Sequence, residues 1–128
     1  MLETMDAMAT VPVKDLARAR PFYEGVLGLK PVGGGEPGVQ GYRAGKTTVL
    51  VYQSEFAGTN KATTVTWSLG DDFDGVVEDL REKDVVFEQY EMPGTTYDNG
   101  VHVMGEMRVA WFKDPDGNII NIGNYPMK

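Results

Sequence analysis

His102 is the only histidine in a chain that has no cysteine, so imidazole chemistry has one address and thiol chemistry has none. A histidine that moves protons needs a partner to position it, and Asp98 and Glu106 are near enough in sequence to supply one, with Tyr97 as a further acid–base candidate. No serine stands in a local pattern that would pair it with His102. Lying beside the Asp98-Asn-Gly segment before a long strand, His102 is expected near a loop, either solvent-exposed or hydrogen-bonded for structure. Gly33-Gly-Gly-Glu-Pro-Gly38 satisfies the spacing of a dinucleotide loop, but no helix opens after it and Pro37 occupies the spacer. It reads instead as a glycine-rich loop at the rim of a cavity.

A second group of residues points to binding. Tyr42, Tyr52, Tyr90, Tyr97 and Trp111 fall on or beside expected strands, and a concave aromatic wall with a few polar groups suits an organic ligand. Met8, Met92, Met104 and Met107 accompany them and would make the wall adaptable. Glu91, Asp98 and Glu106 are expected either to face a cationic ligand or simply to be solvated, and a formal net charge of −7 would either draw such a ligand in or serve solubility. The same charge, with a pI near 4.6, excludes a nucleic-acid partner, whose affinity rests on Lys and Arg. No apolar run reaches the roughly 20 residues that span a bilayer, so no membrane partner is expected. Met1 to Asp6 carries two acids and no base, which is not a secretory signal, so a cytoplasmic location is expected.

The elements that position these residues come in two passes. Residues 8–13 alternate and lead to Asp15, an N-cap candidate. Leu16, Ala19, Tyr23, Val26 and Leu27 then recur at helical spacing up to Gly28, with Pro21 expected to make the first turn irregular. Strands are expected over about 29–34, 38–44 and 47–53. The pattern restarts at Thr63, where Val65, Trp67 and Leu69 alternate with Thr64, Thr66 and Ser68. Asp71 or Asp72 caps a second helix that carries Phe73, Val76, Val77 and Leu80 on one face. Strands over 85–91, 101–113 and 118–124 complete it, with a turn at Asp114-Pro-Asp-Gly117. One domain over 1–128 is expected, built from a module at about 7–54 and another at about 62–125. Each module would be βαβββ, an α+β arrangement with a curved, antiparallel-rich sheet whose helix lies on the convex side. Thr64 and Thr66 would then face the concavity, as would Tyr52, which shares the parity of Leu50.

Two stretches carry a family likeness: Val13-Lys-Asp-Leu-Ala-Arg-Ala-Arg-Pro-Phe-Tyr-Glu-Gly-Val-Leu-Gly-Leu29 and Trp111-Phe-Lys-Asp-Pro-Asp-Gly-Asn-Ile-Ile-Asn-Ile122. They resemble the first helix and the last hairpin of the glyoxalase / bleomycin-resistance / extradiol-dioxygenase superfamily, also called the vicinal oxygen chelate proteins. The resemblance spans roughly residues 7–125 and implies the paired βαβββ fold and a cupped sheet. It also implies four inward metal-ligand positions, which fall here on Met8, Thr64, Asn121 and Leu50, the last with Val49 or Val51 as alternatives. Met, Thr, Asn and Leu offer neither imidazole nor carboxylate, so no metal and no cofactor is expected. The resulting expectation is a metal-independent protein of the bleomycin-resistance type, a homodimer by family likeness, sequestering an aromatic or cationic small molecule. Its site would comprise Met8, Leu50, Tyr52, Thr64, Thr66, Tyr90, Trp111 and Asn121. The alternatives are a metal-free isomerase or lyase using His102, Tyr97 or Glu106 in the same cavity, and an accessory subunit that binds no small molecule.

Overall fold

The computed structural model describes residues 1–33 and 36–125. Part of the glycine-rich loop, Gly34 and Gly35, lies outside the described residues. The chain separates into two compact units, Met1–Asn60 with Pro115–Asn118, and Lys61–Asp114 with Ile119–Lys128. Each holds one open mixed sheet and one principal helical segment, giving an α+β architecture. Among the described residues no helix is long and apolar enough to cross a membrane.

In unit 1, β1 (Ala9–Val13) is followed by α1 (Leu16–Arg20), then β2 (Lys30–Val32), β3 (Val39–Ala44) and β4 (Thr47–Gln53), in sheet order β1-β4-β3-β2. The Asp15 side chain accepts from the Ala17 amide at 2.9 Å, the expected cap. Pro21 does more than disturb a turn. It has no N–H to continue the helical ladder, and Pro21–Val26 winds as a wider π-helical segment closed by Leu27 N–H donating to the Phe22 carbonyl at 2.9 Å. The wider turn brings Phe22 inward beside Ala19 and Tyr23, while Leu16, Val26 and Leu27 stay half-buried. Gly28 holds the left-handed conformation that ends the segment, φ +70°.

Pairing of Val11 with Val51 and of Tyr42 with Val49 puts these four on one face, where all are buried. The Tyr23 ring stacks on Tyr42 at 6.0 Å, which identifies this as the helical face. Tyr42 is therefore core and not part of a ligand-facing wall. Its phenol would be unpaired there without Glu24, whose carboxylate accepts from it at 2.8 Å. Leu50 and Tyr52 lie on the opposite face, half-buried.

Unit 2 runs β5 (Thr63–Ser68), α2 (Phe73–Glu82), β6 (Thr96–Asp98), β7 (Val101–Met104), β8 (Met107–Lys113) and β9 (Ile119–Gly123), in sheet order β5-β9-β8-β7-β6. Two expectations fail here. The strand over 85–91 does not form; only Phe87 makes a bridge, to Phe112. The long strand over 101–113 is a hairpin, because Met104 pairs with Met107 across Gly105-Glu106 and Gly105 takes φ +59°. A second tight turn, Asn99-Gly100, joins β6 to β7 with both residues at positive φ. One pair in each sheet, β1–β4 and β5–β9, is parallel, since the helix carries the chain from the first strand towards the far edge and the antiparallel meander returns the last strand alongside the first in the same direction.

Pairing sorts the unit 2 side chains by face. Val65, Trp67, Ala110, Phe112, Ile120 and Ile122 share one face, and the Arg108 guanidinium of that face lies 5.5 Å from the centre of the Phe73 ring of α2. Phe73, Val77 and Leu80 of α2 are buried. Val65, Trp67 and Leu69 are only half-buried. Strict alternation along β5 also breaks, since a register shift between Thr63 and Val65 leaves Thr64 in a bulge.

Candidate functional site

The face of the unit 2 sheet away from α2 carries the chemistry. Thr66 pairs with Asn121 and Asn121 with Trp111, while Tyr97 pairs with His102 and His102 with Val109, two residues from Trp111. Tyr97, His102, Trp111, Asn121 and Thr66 thus share that face.

His102 is fully buried, not solvent-facing, because β6 and β8 flank β7 and three aromatic rings enclose the imidazole. Tyr97 and Trp111 meet it edge-on, each at 5.0 Å between centroids, and Tyr90 lies across it at 6.2 Å and 25°. Trp111 also meets Tyr90 edge-on at 5.4 Å, and its indole N–H donates to Thr63 Oγ1 at 3.2 Å.

The missing strand at 85–91 explains how Tyr90 arrives. β7 pairs with β8 only between Met107 and Val109, and further along the same edge Phe87 bridges Phe112 and the Glu88 amide donates to the Trp111 carbonyl at 2.8 Å. The chain then leaves the sheet. The Tyr90 backbone turns to His102 instead: its N–H donates to Nε2 at 2.9 Å, and its carbonyl oxygen is 3.1 Å from the same nitrogen. Nε2 can make one of these bonds at a time, so the imidazole is held in either tautomer.

The loop that follows borders an open cleft of about 610 Å³ lined by Gln89, Tyr90, Glu91, Met92, Pro93, Thr95, Tyr97 and His102. That volume is in the range of small-molecule sites, about 300–1,000 Å³. Three buried polar atoms on its lining residues have no hydrogen-bond partner: Tyr90 Oη, Thr95 Oγ1 and His102 Nδ1. Each such atom costs about 1–3 kcal/mol. Burial, followed by the Glu88 charge, raises the Tyr90 pKa against the opposing effect of Lys113, so the phenol keeps its proton at neutral pH. Lys113 is bound to Glu88 at 3.1 Å. Glu91 is the only charged residue in the lining.

Tyr90, Tyr97, Trp111 and His102 are brought together. Glu106 is not among them; it sits exposed in the β7–β8 turn, where its carbonyl accepts from Asn124. Asp98 pairs with Val101 on the opposite face from Tyr97 and lines a separate charged cleft with Arg81 and Arg108. Asn121 is buried with both ends of its amide engaged, Nδ2 donating to the Ala110 carbonyl at 3.0 Å and Oδ1 accepting from the Tyr125 hydroxyl at 3.0 Å. Tyr125 closes over Gly123, where a Cβ would stand 2.3 Å from its ring. Met8 precedes β1 and is 55% exposed. Met8, Leu50 and Tyr52 belong to unit 1. Thr63, Thr95 and Gln89 were not anticipated. The Asn99-Gly100 dipeptide was the available signal, since a tight hairpin there sets Tyr97 opposite His102.

Two sheets of this kind, each with a strand–helix–strand opening and an antiparallel meander, define the paired-module class the sequence pointed to. The chain belongs to the Glyoxalase/Bleomycin resistance protein/Dioxygenase superfamily, whose family profile matches residues 6–122. Among solved structures it is similar to the fosfomycin resistance protein FosX from Mesorhizobium loti, with 20% identity, 99% of this chain and 96% of that one covered, and a TM-score of 0.68. A glyoxalase / bleomycin resistance protein from Catenulispora acidiphila is 25% identical over 94% of this chain and 98% of its own, TM-score 0.68. Lactoylglutathione lyase from Agrobacterium tumefaciens is 16% identical over 94% and 92%, TM-score 0.68. No curated protein sequence matches the chain.

Proposed function

We propose that this protein is a metal-independent small-molecule-binding member of its superfamily, holding an aromatic organic compound in the cavity of unit 2. The observation that carries the reading is the coincidence of three unpartnered buried polar atoms on residues lining one aromatic cavity. Unpaired buried groups are a stability cost, and a ligand that shifts the 89–97 loop enough to reach and pair with them recovers it. The positions the family uses for metal do not fit a divalent ion. They hold a thioether, an alkyl chain, a hydroxyl in a β-bulge and an amide whose two ends are already hydrogen-bonded. Exposed edge strand β6 supports pairing with a second copy, since an open edge is a site for association.

A thermal-shift screen with divalent metals, cationic antibiotics, fosfomycin and small ketoacids tests this. A ligand at one hundred times its Kd adds about 2.7 kcal/mol of apparent stability. An organic compound that stabilises the protein and is recovered chemically unchanged is the expected result. Stabilisation by a transition metal alone, with about one ion per chain, would overturn it. A metal-free isomerase or lyase is the second reading, favoured by the unpartnered His102 Nδ1 beside the Tyr97 ring. Turnover abolished by His102→Ala would establish it in place of sequestration.

A further inference from the structure

We infer that Gln89–Thr95 is a strap over His102, latched at the single ring nitrogen Nε2, whose release in the ligand-free protein admits a ligand to the buried end of the cleft; this deepens, and rests on, the proposal that the cleft binds an organic compound. The two ends of the segment are fixed. On one side the Glu88 amide donates to the Trp111 carbonyl at 2.8 Å, and on the other Thr96 enters β6. Between them run seven residues in neither helix nor strand, none of them buried as a whole. The Thr95 amide donates within the segment, to the Met92 carbonyl at 3.3 Å, across a turn in which Gly94 takes φ +74°. Among the described residues, the hydrogen bonds from this segment to the sheet are those of the Tyr90 backbone with Nε2.

The latch is weak because of what one nitrogen can do. Nε2 carries either a lone pair or a proton, so it accepts from the Tyr90 amide at 2.9 Å or donates to the Tyr90 carbonyl at 3.1 Å, and each tautomer leaves the other group without this bond. Closure also shuts Tyr90 Oη, Thr95 Oγ1 and His102 Nδ1 away from any partner. Release lets water pair with these three side-chain atoms and with the Tyr90 backbone group left over. In exchange it gives up the latch bond, the stacking of Tyr90 on His102 and its edge contact with Trp111, each of the same order as one unsatisfied polar group. Little apolar burial is at stake, since no residue of the strap is buried as a whole. Opening is therefore local and lies far below unfolding of the sheet. It is also required: with the strap closed the three atoms are cut off from solvent, so a ligand that pairs with them must follow its release.

Native-state hydrogen exchange of the ligand-free chain measures the opening directly. The Tyr90 amide is expected to open at least about 100-fold more often than the Ile122 amide in the central strand β9. The chain has no cysteine, so an introduced thiol gives a second reading without background. Thr95→Cys should react with an aromatic disulfide reagent more slowly than Glu91→Cys on the exposed side of the strap. Adding Tyr90→Phe, which keeps the ring and removes one unpaired atom from the closed state, should slow Thr95→Cys a further 3- to 10-fold or roughly so. Equal opening at Tyr90 and Ile122 would overturn the strap, whatever the ligand screen finds. So would a Thr95→Cys thiol as reactive as that of Glu91→Cys, or one that Tyr90→Phe does not slow. A strap that opens as expected, while every compound of the thermal-shift screen leaves the exchange of Tyr90 and Thr95 unchanged, would overturn the binding proposal and with it the role of the strap as an entry.

Discussion

Unit 1 and unit 2 share an order of elements and differ in what they do with buried polar groups. In unit 1 the buried phenol of Tyr42 donates to Glu24, Asn118 Nδ2 donates to the Pro12 carbonyl at 2.7 Å, and Asp116 accepts from the Lys14 amide at 3.1 Å and pairs with Arg18. In unit 2, Tyr90, Thr95 and His102 each bury a polar atom without a partner. Polar groups paired in this way cost unit 1 no unsatisfied hydrogen bonds at these positions. Unit 2, which leaves three unsatisfied around a cleft, gives up stability that a ligand reaching them can restore. Among the described residues the two units of one fold thus differ in where buried polar atoms are left without partners.

The largest effect that tests the contrast lies in unit 1. Gly58 holds φ +76°, and a Cβ there would stand 1.9 Å from the Asp116 carbonyl oxygen. Backbone, unlike a flexible side chain, cannot yield cheaply. Gly58→Ala should cost roughly 2–4 kcal/mol, combining left-handed strain with overpacking. Urea denaturation measures it, and a loss under about 1 kcal/mol would mean that the loop and the Pro115–Asn118 segment are not tightly packed in unit 1.

Two tyrosines give the next effect, and here the units should respond with opposite sign. Tyr42→Phe removes a made bond and should cost about 1–2 kcal/mol. Tyr90→Phe removes an unmade one and should leave the ligand-free protein unchanged or up to about 1 kcal/mol more stable. Equal losses would show that Tyr90 has a partner and would weaken the case for the site. Alkali sharpens the comparison. Burial and the Glu24 bond raise the Tyr42 pKa above the ordinary value of 10.0, and burial raises that of Tyr90. A phenol whose folded pKa is raised contributes stability that is complete below the unfolded pKa, near 10, and is lost as pH climbs from there towards the folded value. Stability should therefore hold to about pH 9 and fall above about pH 10, and the fall should be shallower in Tyr42→Phe. A wild-type and variant decline that run parallel would rule this out.

The contrast was only half legible in the amino-acid sequence. β3 and β4 begin and end within a residue of the expected positions, because Thr47–Gln53 alternates cleanly between two marked turns. The helical face was misjudged at Phe22, since the consequence of Pro21 was a wider turn and not a merely irregular one. Unit 2 was harder. Val85-Val86-Phe87 has strand composition, yet Asp84 takes φ +64° and the Tyr90 backbone bonds to a side chain instead of a ladder. That choice depends on where His102 lies, a tertiary fact with no local signature. The two glycine turns at Asn99-Gly100 and Gly105-Glu106 were readable by residue type and would have placed His102 in a central strand, buried and opposite Tyr97. The bulge at Thr64, which sets Thr63 beside Trp111, has no comparable marker in its Thr-Thr sequence.

The smallest effect concerns how each unit starts its helix. Asp15 has the extended backbone of an N-cap, φ −146° and ψ 117°, and its side chain closes on the Ala17 amide. Asp72 stands at φ −81° and ψ −4°, already helical, because the 3₁₀ turn Gly70–Asp72 runs straight into α2, and its side chain makes no cap bond. Asp15→Ala should therefore cost about 1 kcal/mol. Asp72→Ala should cost only a few tenths, through the interaction of its charge with the amides at the start of α2. Salt separates the two causes. An exposed charge–dipole effect is screened, so the Asp72 difference should shrink in high salt, whereas the Asp15 difference rests on a short hydrogen bond and should persist in large part. If Asp72→Ala cost as much as Asp15→Ala in thermal melts, and kept that cost in high salt, α2 would begin with an extended capping residue. The two repeats would then differ at the cavity but not at the entry to their helices.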